Sequence, residues 1–210
     1  MTALTLWGRP SSVNVQKILW ALDEYGLDYA HRVVGGKYGG MDTPELRALS
    51  PVPRVPVLQR GDRGIWESHA ILRHLARGHP DHPLSATPDL ADPWLDYGTS
   101  TFQPAFIGLF WQLVRTLPAD RSQAAIGQAR KGLAEALDVI EARLAEAPWL
   151  AGAQMSIADI GIGAPMYRLG DIAPDLLEGR PALSAWIDRL GARPAWDRFI
   201  ATSYEELRAV

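Results

Sequence analysis

The sequence predicts an α/β segment followed by an all-helical segment, and three observations indicate this organisation. Up to residue 78, short stretches of alternating apolar and polar residues are interleaved with helical patterns. Between residues 79 and 93, four prolines interrupt a stretch with few apolar residues. Beyond it, apolar residues recur only at helical spacing. We therefore predict an α/β domain over 1–79, a linker over 80–93 and a helical-bundle domain over 94–210.

The elements of the first segment follow the order βαβαββα. In chain order they are a strand at 4–7, a helix over 15–22 that stops before Gly26, a strand at 29–34, a helix starting at Thr43, a hairpin with strands at 56–59 and 65–66 around a turn at 61–64, and a helix containing 71–75 that ends near Gly78. Thr43 is a typical N-cap, and Pro44 suits the first helical position because a missing N–H costs nothing there.

The second segment is predicted to contain helices only. Ile126, Leu133, Leu137, Ile140 and Leu144 form a long apolar stripe at helical spacing. Shorter helices are expected over 182–190 and 196–207, separated by Pro194. The run at 156–159, Ser-Ile-Ala-Asp, resembles a capping box and is assigned a folding role without a catalytic one.

Composition excludes several classes of function. The net charge of −3 and the absence of a basic run argue against nucleic-acid binding. No stretch approaches the roughly 18 apolar residues that a membrane span needs, so no membrane partner is expected. The N-terminal residues lack a signal-peptide pattern, which makes the cytoplasm the expected compartment. With no cysteine, the chain has no disulfide, no thiolate metal site and no thiol nucleophile of its own.

Two neighbouring motifs carry most of the functional information. Pro56, in Arg54-Val55-Pro56, directly precedes an apolar strand, where it fits best with a cis peptide bond that turns the Val55 backbone toward a ligand. Glu67-Ser68 then opens a helix and places a carboxylate, a hydroxyl and free N–H groups together. Either motif alone is compatible with an ordinary proline turn and helix cap.

Together these motifs resemble the glutathione-binding half of the cytosolic glutathione S-transferases, of a bacterial, theta- or nu-like type. The resemblance implies a thioredoxin-like N-terminal domain, a helical C-terminal domain, glutathione as co-substrate and a homodimer. It also implies that the Val55 backbone pairs with the peptide, and that Glu67 and Ser68 hold its γ-glutamyl end. Arg54, or Lys37 in the loop before the second helix, would reach the glycyl carboxylate, although both also fit ordinary solvated surface.

The loop after the first strand contains the expected catalytic residues. Ser12 falls where serine-type members of the family keep their catalytic hydroxyl, and Asn14 falls where the disulfide-reducing relatives keep an asparagine. A thiol with a pKa near ~8.5 needs such donors, at the positive end of a helix, to ionise at neutral pH. Ser11 is a possible substitute, and Arg9 is a further candidate in the same loop.

An aromatic cluster is expected to form the second pocket. Phe106, Phe110, Trp111 and Arg115 lie at near-helical spacing, and most of this pattern is explained by core packing. In the family, the corresponding helix faces the catalytic loop, so one face is predicted to contact the electrophile.

The chain departs from the family pattern before Val55. Pro53 occupies the place of the usual glycine in the turn, which alters the allowed geometry and affects the placement of Arg54. The glycine-rich loop at 35–40 lacks a phosphate-binding spacing, and His79 and His82 lack a metal-binding pattern, so no metal is expected.

The sequence therefore predicts a glutathione transferase that activates glutathione for attack on a small electrophile. Two alternatives remain open: a glutathione-dependent disulfide or peroxide reductase using the same site, and a non-catalytic protein that uses this fold for binding or as a scaffold.

Overall fold

The N-terminal part of the chain is a four-stranded mixed sheet with helices on both faces. A computed structural model describes residues 3–210, so Met1 and Thr2, with which the predicted first domain begins, lie outside the described residues. The strands are β1 (Leu4–Trp7), β2 (Tyr29–Arg32), β3 (Val57–Arg60) and β4 (Arg63–Trp66). Their order in the sheet is β2-β1-β3-β4, with β1 and β2 parallel and the other pairs antiparallel. The predicted βαβαββα order and thioredoxin-like class are confirmed.

Three helices cover this sheet: α1 (Val13–Glu24), α2 (Pro44–Leu49) and α3 (Ser68–Gly78). Because side chains alternate along a strand, β1 sends Leu6 to one face and Trp7 to the other. Leu6 joins the large core formed with α1 and α3, whereas Trp7 joins a small cluster with Leu46 of α2. Because α1 packs against β1 in the large core, the N-terminus of α1 lies after the short loop that follows β1. This is the loop for which catalytic residues were predicted.

The C-terminal part is helical. Its helices are α4 (Pro88–Tyr97), α5 (Gln103–Val114), α6 (Gln123–Glu146), α7 (Ile157–Gly163), α8 (Met166–Ile172) and α9 (Pro181–Gly191). A π-helical turn at 98–102 connects α4 to α5, and the predicted capping box at Ser156 is present. The large core runs without a break from the sheet into these helices.

Several predicted bounds differ from the observed ones. Helix α4 begins at Pro88, inside the span predicted as a linker, because proline is well tolerated at a first helical turn. Strand β2 ends at Arg32, two residues before the predicted 34. The hairpin strands reach Arg60 and Arg63, which leaves a tighter turn than predicted. The division of the chain at 79 and 94 stays a prediction.

The predicted helix over 196–207 is wrong. The chain forms a π-helical turn at 196–200 and a separate 3-10 turn at 205–207. Tyr204, between them, is buried beneath the Arg168 guanidinium, which lies 5.0 Å from its ring centre. The tail then returns to α5, where the Ala209 N–H donates to the Val114 carbonyl at 2.8 Å. This packing bends the tail away from a continuous helix.

Among residues 3–210, no helix combines the length and the apolar character needed to cross a bilayer.

Candidate functional site

Ser12 is the N-cap of α1, and its hydroxyl makes no helix-capping bond. Its carbonyl accepts from the Gln16 N–H at 2.9 Å, as an N-cap carbonyl does. The loop that delivers it starts at Gly8, whose φ of +150° favours glycine. A Cβ on Gly8 would lie 2.4 Å from the Val15 side chain and 3.1 Å from that of Val55. Gly8 thus lets α1 and the Val55 segment approach each other closely.

Ser12 opens onto a cleft of about 460 Å³, which we call the serine cleft. One wall comes from the α/β part and includes Val55; the other comes from α5 and α8. Most of the predicted site residues line it: Arg9, Ser11, Ser12, Asn14, Arg54, Val55, Phe106, Phe110, Trp111 and Arg115. The fold therefore brings the predicted catalytic loop, the predicted peptide-pairing segment and the aromatic face of α5 to one place.

A second cleft, of about 430 Å³, lies on the other side of Asn14, and we call it the glutamate cleft. Glu67, Ser68 and Arg73 line it together with Asp96 of α4. Glu67 has a φ of 66°, and among residues 3–210 it is the one non-glycine residue with a positive φ. Such a conformation costs about 1–3 kcal/mol and is often found at functional sites.

Asn14 lines both clefts. Its Oδ1 is buried and has no hydrogen-bond partner among the described residues. A buried carbonyl oxygen without a donor is costly, by about 1–3 kcal/mol. Asn14 is therefore placed to accept a hydrogen bond from a ligand that extends from one cleft into the other.

The Val55–Pro56 peptide bond is cis, as predicted. Pro56 is buried and directly precedes β3, and it lines neither cleft. Arg54 is exposed at the rim of the serine cleft.

Ser11 and Lys37 are tied to the C-terminal tail. The buried Ser11 hydroxyl donates to Glu206, and the Lys37 ammonium lies 2.5 Å from the other oxygen of the same carboxylate. The hydrogen bond from Lys37, and then that from Ser11, lower the pKa of Glu206. Lys37 lines a neighbouring cleft with Glu206 instead of the serine cleft. Of the two serines in the loop, Ser12 has the hydroxyl without a hydrogen-bond partner among the described residues.

Sequence reasoning missed Arg168 of α8. Its side chain is 2% exposed, and its guanidinium donates to the Ser11 carbonyl and to Gln16 Oε1, both at 2.9 Å. Burial lowers its pKa to about 10. A single arginine in the apolar run Ala-Pro-Met-Tyr-Arg-Leu at 164–169 was the available signal.

A buried polar cluster lies beneath the glutamate cleft. Lys17 is fully buried, with its Nζ 3.0 Å from His69 Nε2 and 2.5 Å from Gln103 Oε1. His69 Nδ1 lies 2.7 Å from the Leu95 carbonyl, which can only accept, so the ring hydrogen belongs on Nδ1. Burial lowers the pKa of Lys17 to about 7 and that of His69 to about 3. His69 is thus neutral, and its Nε2 accepts from Lys17.

Among residues 3–210, no group of three or more histidines and carboxylates is arranged to hold a metal ion.

Comparison with protein families matches both parts of the chain. Residues 2–77 match the family described as Glutathione S-transferase, N-terminal domain, and residues 90–194 match Glutathione S-transferase, C-terminal domain.

Curated proteins and solved structures give the same family. The chain is 34% identical to Glutathione S-transferase GstB of Escherichia coli, over 91% of this chain and 95% of that protein. It is 32% identical to Glutathione S-transferase 3 of Zea mays, over 96% and 95%. Its fold is similar to the crystal structure of the theta class glutathione S-transferase of Xanthomonas axonopodis pv. citri with glutathione bound. That structure has a TM-score of 0.88 and 41% identity, over 97% of this chain and all of the other.

Proposed function

The chain belongs to the glutathione S-transferase family and is a glutathione transferase, and we propose that Ser12 and Asn14 are the residues that activate its glutathione. The observation that carries this assignment is the start of α1. There, among the described residues, the Ser12 hydroxyl makes no helix-capping bond, and the Asn14 side chain, whose amide N–H groups can donate to sulfur, lines the same cleft. The proposed site is the serine cleft with the glutamate cleft beside it.

The start of α1 suits a thiolate. Helix α1 has no acidic residue in its first turn, so the positive end of its dipole is not neutralised there. Lowering a thiol pKa by about 2 units requires roughly 2.7 kcal/mol of preferential thiolate stabilisation. One charge-assisted hydrogen bond from the Ser12 hydroxyl and the helix end together are of this magnitude.

The peptide of glutathione is proposed to extend across both clefts. Glu67 and Ser68 would hold the γ-glutamyl end in the glutamate cleft, and Asn14 Oδ1 would accept a peptide N–H. The Val55 backbone would pair with the cysteinyl residue, with Arg54 toward the glycyl carboxylate. Lys37 reaches that end only if it leaves its ion pair with Glu206.

The reaction then needs no covalent intermediate with the enzyme. The Ser12 hydroxyl donates to the thiolate, whose sulfur attacks an electrophilic carbon in the serine cleft. A carbon–sulfur bond forms, and the leaving group departs with its electron pair. The contributions of the protein are the position of the two reactants and the stabilisation of the thiolate.

The transferase names of the relatives favour conjugation over the two alternatives, a reductase or a binding scaffold. Parallel assays of aryl halide conjugation and of disulfide reduction test this assignment. We expect conjugation to dominate. Disulfide reduction without conjugation would support the reductase, and no glutathione binding by calorimetry would support the scaffold.

Substitution of Ser12 tests the catalytic assignment. Ser12→Ala should raise the pKa of bound glutathione from about 6.5 by about 1–2 units, which leaves roughly 5- to 50-fold less thiolate at pH 6.5. Glutathione affinity should change little, and high pH should restore the rate because hydroxide then forms the thiolate. Spectrophotometric titration of the bound thiolate in Ser12→Ala, Asn14→Ala and the double variant measures the effect.

Ser184→Ala is the matched control, because Ser184 is exposed on α9. If neither single change nor the double one moves the titration, the activating group lies elsewhere, with Arg9 or Ser11 the next residues to test.

We further propose that the enzyme acts in the cytoplasm as a homodimer on a small electrophilic substrate. Family membership supports these proposals, and sedimentation of the purified protein tests the dimer.

A further inference from the structure

Besides Arg54 at the rim, three arginines line the serine cleft, and none of them has a carboxylate partner among the described residues. Arg9 from the catalytic loop, Arg115 from the end of α5 and Arg168 from α8 all line it. Within the part of the chain that the structure describes, none of the three forms an ion pair, and no acidic residue lines this cleft. Such a concentration of positive charge in a partly buried site is unfavourable unless an anion binds there.

Arg168 is the most buried of the three. It lies over the rings of Phe110 and Tyr204, at 5.6 and 5.0 Å from their centres. Its two donated bonds go to uncharged oxygens, and its buried Nε has no partner among the described residues. Both Arg115 and Arg9 act electrostatically on it, which places the three charges within reach of one another.

Arg9 and Arg115 are less buried than Arg168. Arg9 Nε is also buried without a described partner, and its Nη1 lies against the loop at Gly36, 3.2 Å from where a Cβ there would be. Burial, and next the charge of Arg9, lower the pKa of Arg115. Glu206, which acts electrostatically with Arg9, already accepts from Lys37 and Ser11.

From this geometry we propose that the enzyme prefers electrophiles that carry a carboxylate, held by Arg9 and Arg115 with Arg168 behind them. Phe106, Phe110 and Trp111 would contact the apolar body of the same molecule. The inference rests on the proposed function, because it concerns the second substrate of that site. Arg115 and Arg168 come from the helical part, whereas the residues proposed to hold glutathione come mainly from the α/β part. We therefore assign the anion bound by the arginines to the electrophile and not to glutathione.

A matched pair of electrophiles tests the preference. The probes are 4-chloro-3-nitrobenzoate and 4-chloro-3-nitrobenzamide, which have nearly the same shape and differ in charge. In both, the thiolate sulfur bonds to the ring carbon and chloride leaves with its electron pair. Because the two rings differ in intrinsic reactivity, each kcat/KM is divided by the uncatalysed rate constant with glutathione. We expect the normalised value to be at least about tenfold higher for the benzoate, as hydrogen bonds to a charged group imply.

Arginine variants locate the effect. Arg115→Leu and Arg9→Leu should each lower the ratio of the normalised benzoate value to the normalised benzamide value by about ten- to a hundredfold. The KM for glutathione should stay the same. Arg77→Leu removes the same charge from an exposed position on α3 and serves as the control. Arg168 is not used for this test, because it also anchors the Ser11 carbonyl.

The outcomes separate the possible sources of the carboxylate. If the arginines hold the glycyl carboxylate of glutathione, the variants will raise the KM for glutathione equally with both electrophiles, and the proposal is overturned. It is also overturned if the wild-type enzyme conjugates both probes with no preference for the benzoate.

Calorimetry on the wild-type enzyme makes the test independent of turnover and of variant folding. With glutathione saturating, 3-nitrobenzoate should bind at least about tenfold more tightly than 3-nitrobenzamide. Equal binding overturns the anion site. Absence of conjugation with a retained preference for 3-nitrobenzoate would instead contradict the proposed transferase reaction and leave the anion site standing.

Discussion

The glutamate cleft and the serine cleft are similar in volume and share Asn14, yet their charged groups are arranged in opposite ways. In the glutamate cleft, Arg73 pairs with Asp96, and Asp92 beside it accepts from the same guanidinium. In the serine cleft, the guanidinium groups of Arg9, Arg115 and Arg168 have no carboxylate partner among the described residues. The arginine of the glutamate cleft is paired within the protein, whereas the arginines of the serine cleft leave an uncompensated positive charge.

The difference indicates how each cleft selects a ligand. In the glutamate cleft the charges of Arg73 and Asp96 are already paired with each other. A ligand there gains binding free energy mainly from the unpaired, exposed carboxylate of Glu67. Where charges are unpaired and partly buried, any ligand of the opposite sign relieves an existing cost. We therefore expect the glutamate cleft to recognise one specific end of glutathione and the serine cleft to accept a range of anionic electrophiles.

The largest expected effect concerns the cluster beneath the glutamate cleft. Burial lowers the Lys17 pKa to about 7. Between about pH 7 and 10.5, the Lys17 side chain is therefore deprotonated in the folded protein and still protonated in the unfolded chain. The unfolded state binds more protons in that window, so stability should rise with pH. Lys17→Met should remove a rise on the order of 4 kcal/mol in the free energy of unfolding between pH 7 and 10.

Urea denaturation of both proteins at the two pH values measures this difference. Lys131→Met on the exposed side of α6 is the control and should behave like the wild type. Parallel pH profiles for the wild type and Lys17→Met would mean that Lys17 stays charged and that the glutamate cleft is less neutralised than its geometry indicates.

The second effect tests recognition in the glutamate cleft alone. Glu67→Gln removes the open carboxylate and should weaken glutathione binding by about 1.5–3 kcal/mol, which is the range for a hydrogen bond to a charged group. Isothermal titration calorimetry with glutathione measures this change, and Glu178→Gln, at an exposed position, is the control.

The preference for an anionic electrophile should not change in Glu67→Gln. If that preference changes as much as the glutathione affinity, the two clefts do not select their ligands separately. An unchanged affinity for glutathione would mean that Glu67 and Ser68 only start helix α3 and do not bind the ligand.

The smallest effect separates the two serines of the loop between β1 and α1. Ser11→Ala removes the hydrogen bond to Glu206 and should lower the free energy of unfolding by about 0.5–1.5 kcal/mol. The pKa of bound glutathione should not move, because the Ser11 hydroxyl is already engaged with Glu206. A rise in that pKa, measured by the same thiolate titration as for Ser12→Ala, would assign the donor role to Ser11.

Local patterns in the sequence were sufficient for the framework of the site. Pro56 before an apolar strand predicted the cis bond, Thr43-Pro44 predicted the start of α2, and Gly26 predicted the stop after α1. Each of these features depends on the backbone preferences of a few neighbouring residues, so the sequence contains what is needed to predict them. The fold class and the family followed from the order of such features.

The charge balance of the site was decided only by the tertiary structure. Arg168 of α8 donates to the Ser11 carbonyl, and Glu206 of the tail accepts from Ser11 and Lys37. Lys17 donates to His69 inside the core. The predicted helix over 196–207 failed for the same reason, because the burial of Tyr204 against Arg168 bends the tail. The strength of a charge depends on its burial and on its partners. Segments far apart in the chain supply both, and no local pattern records them.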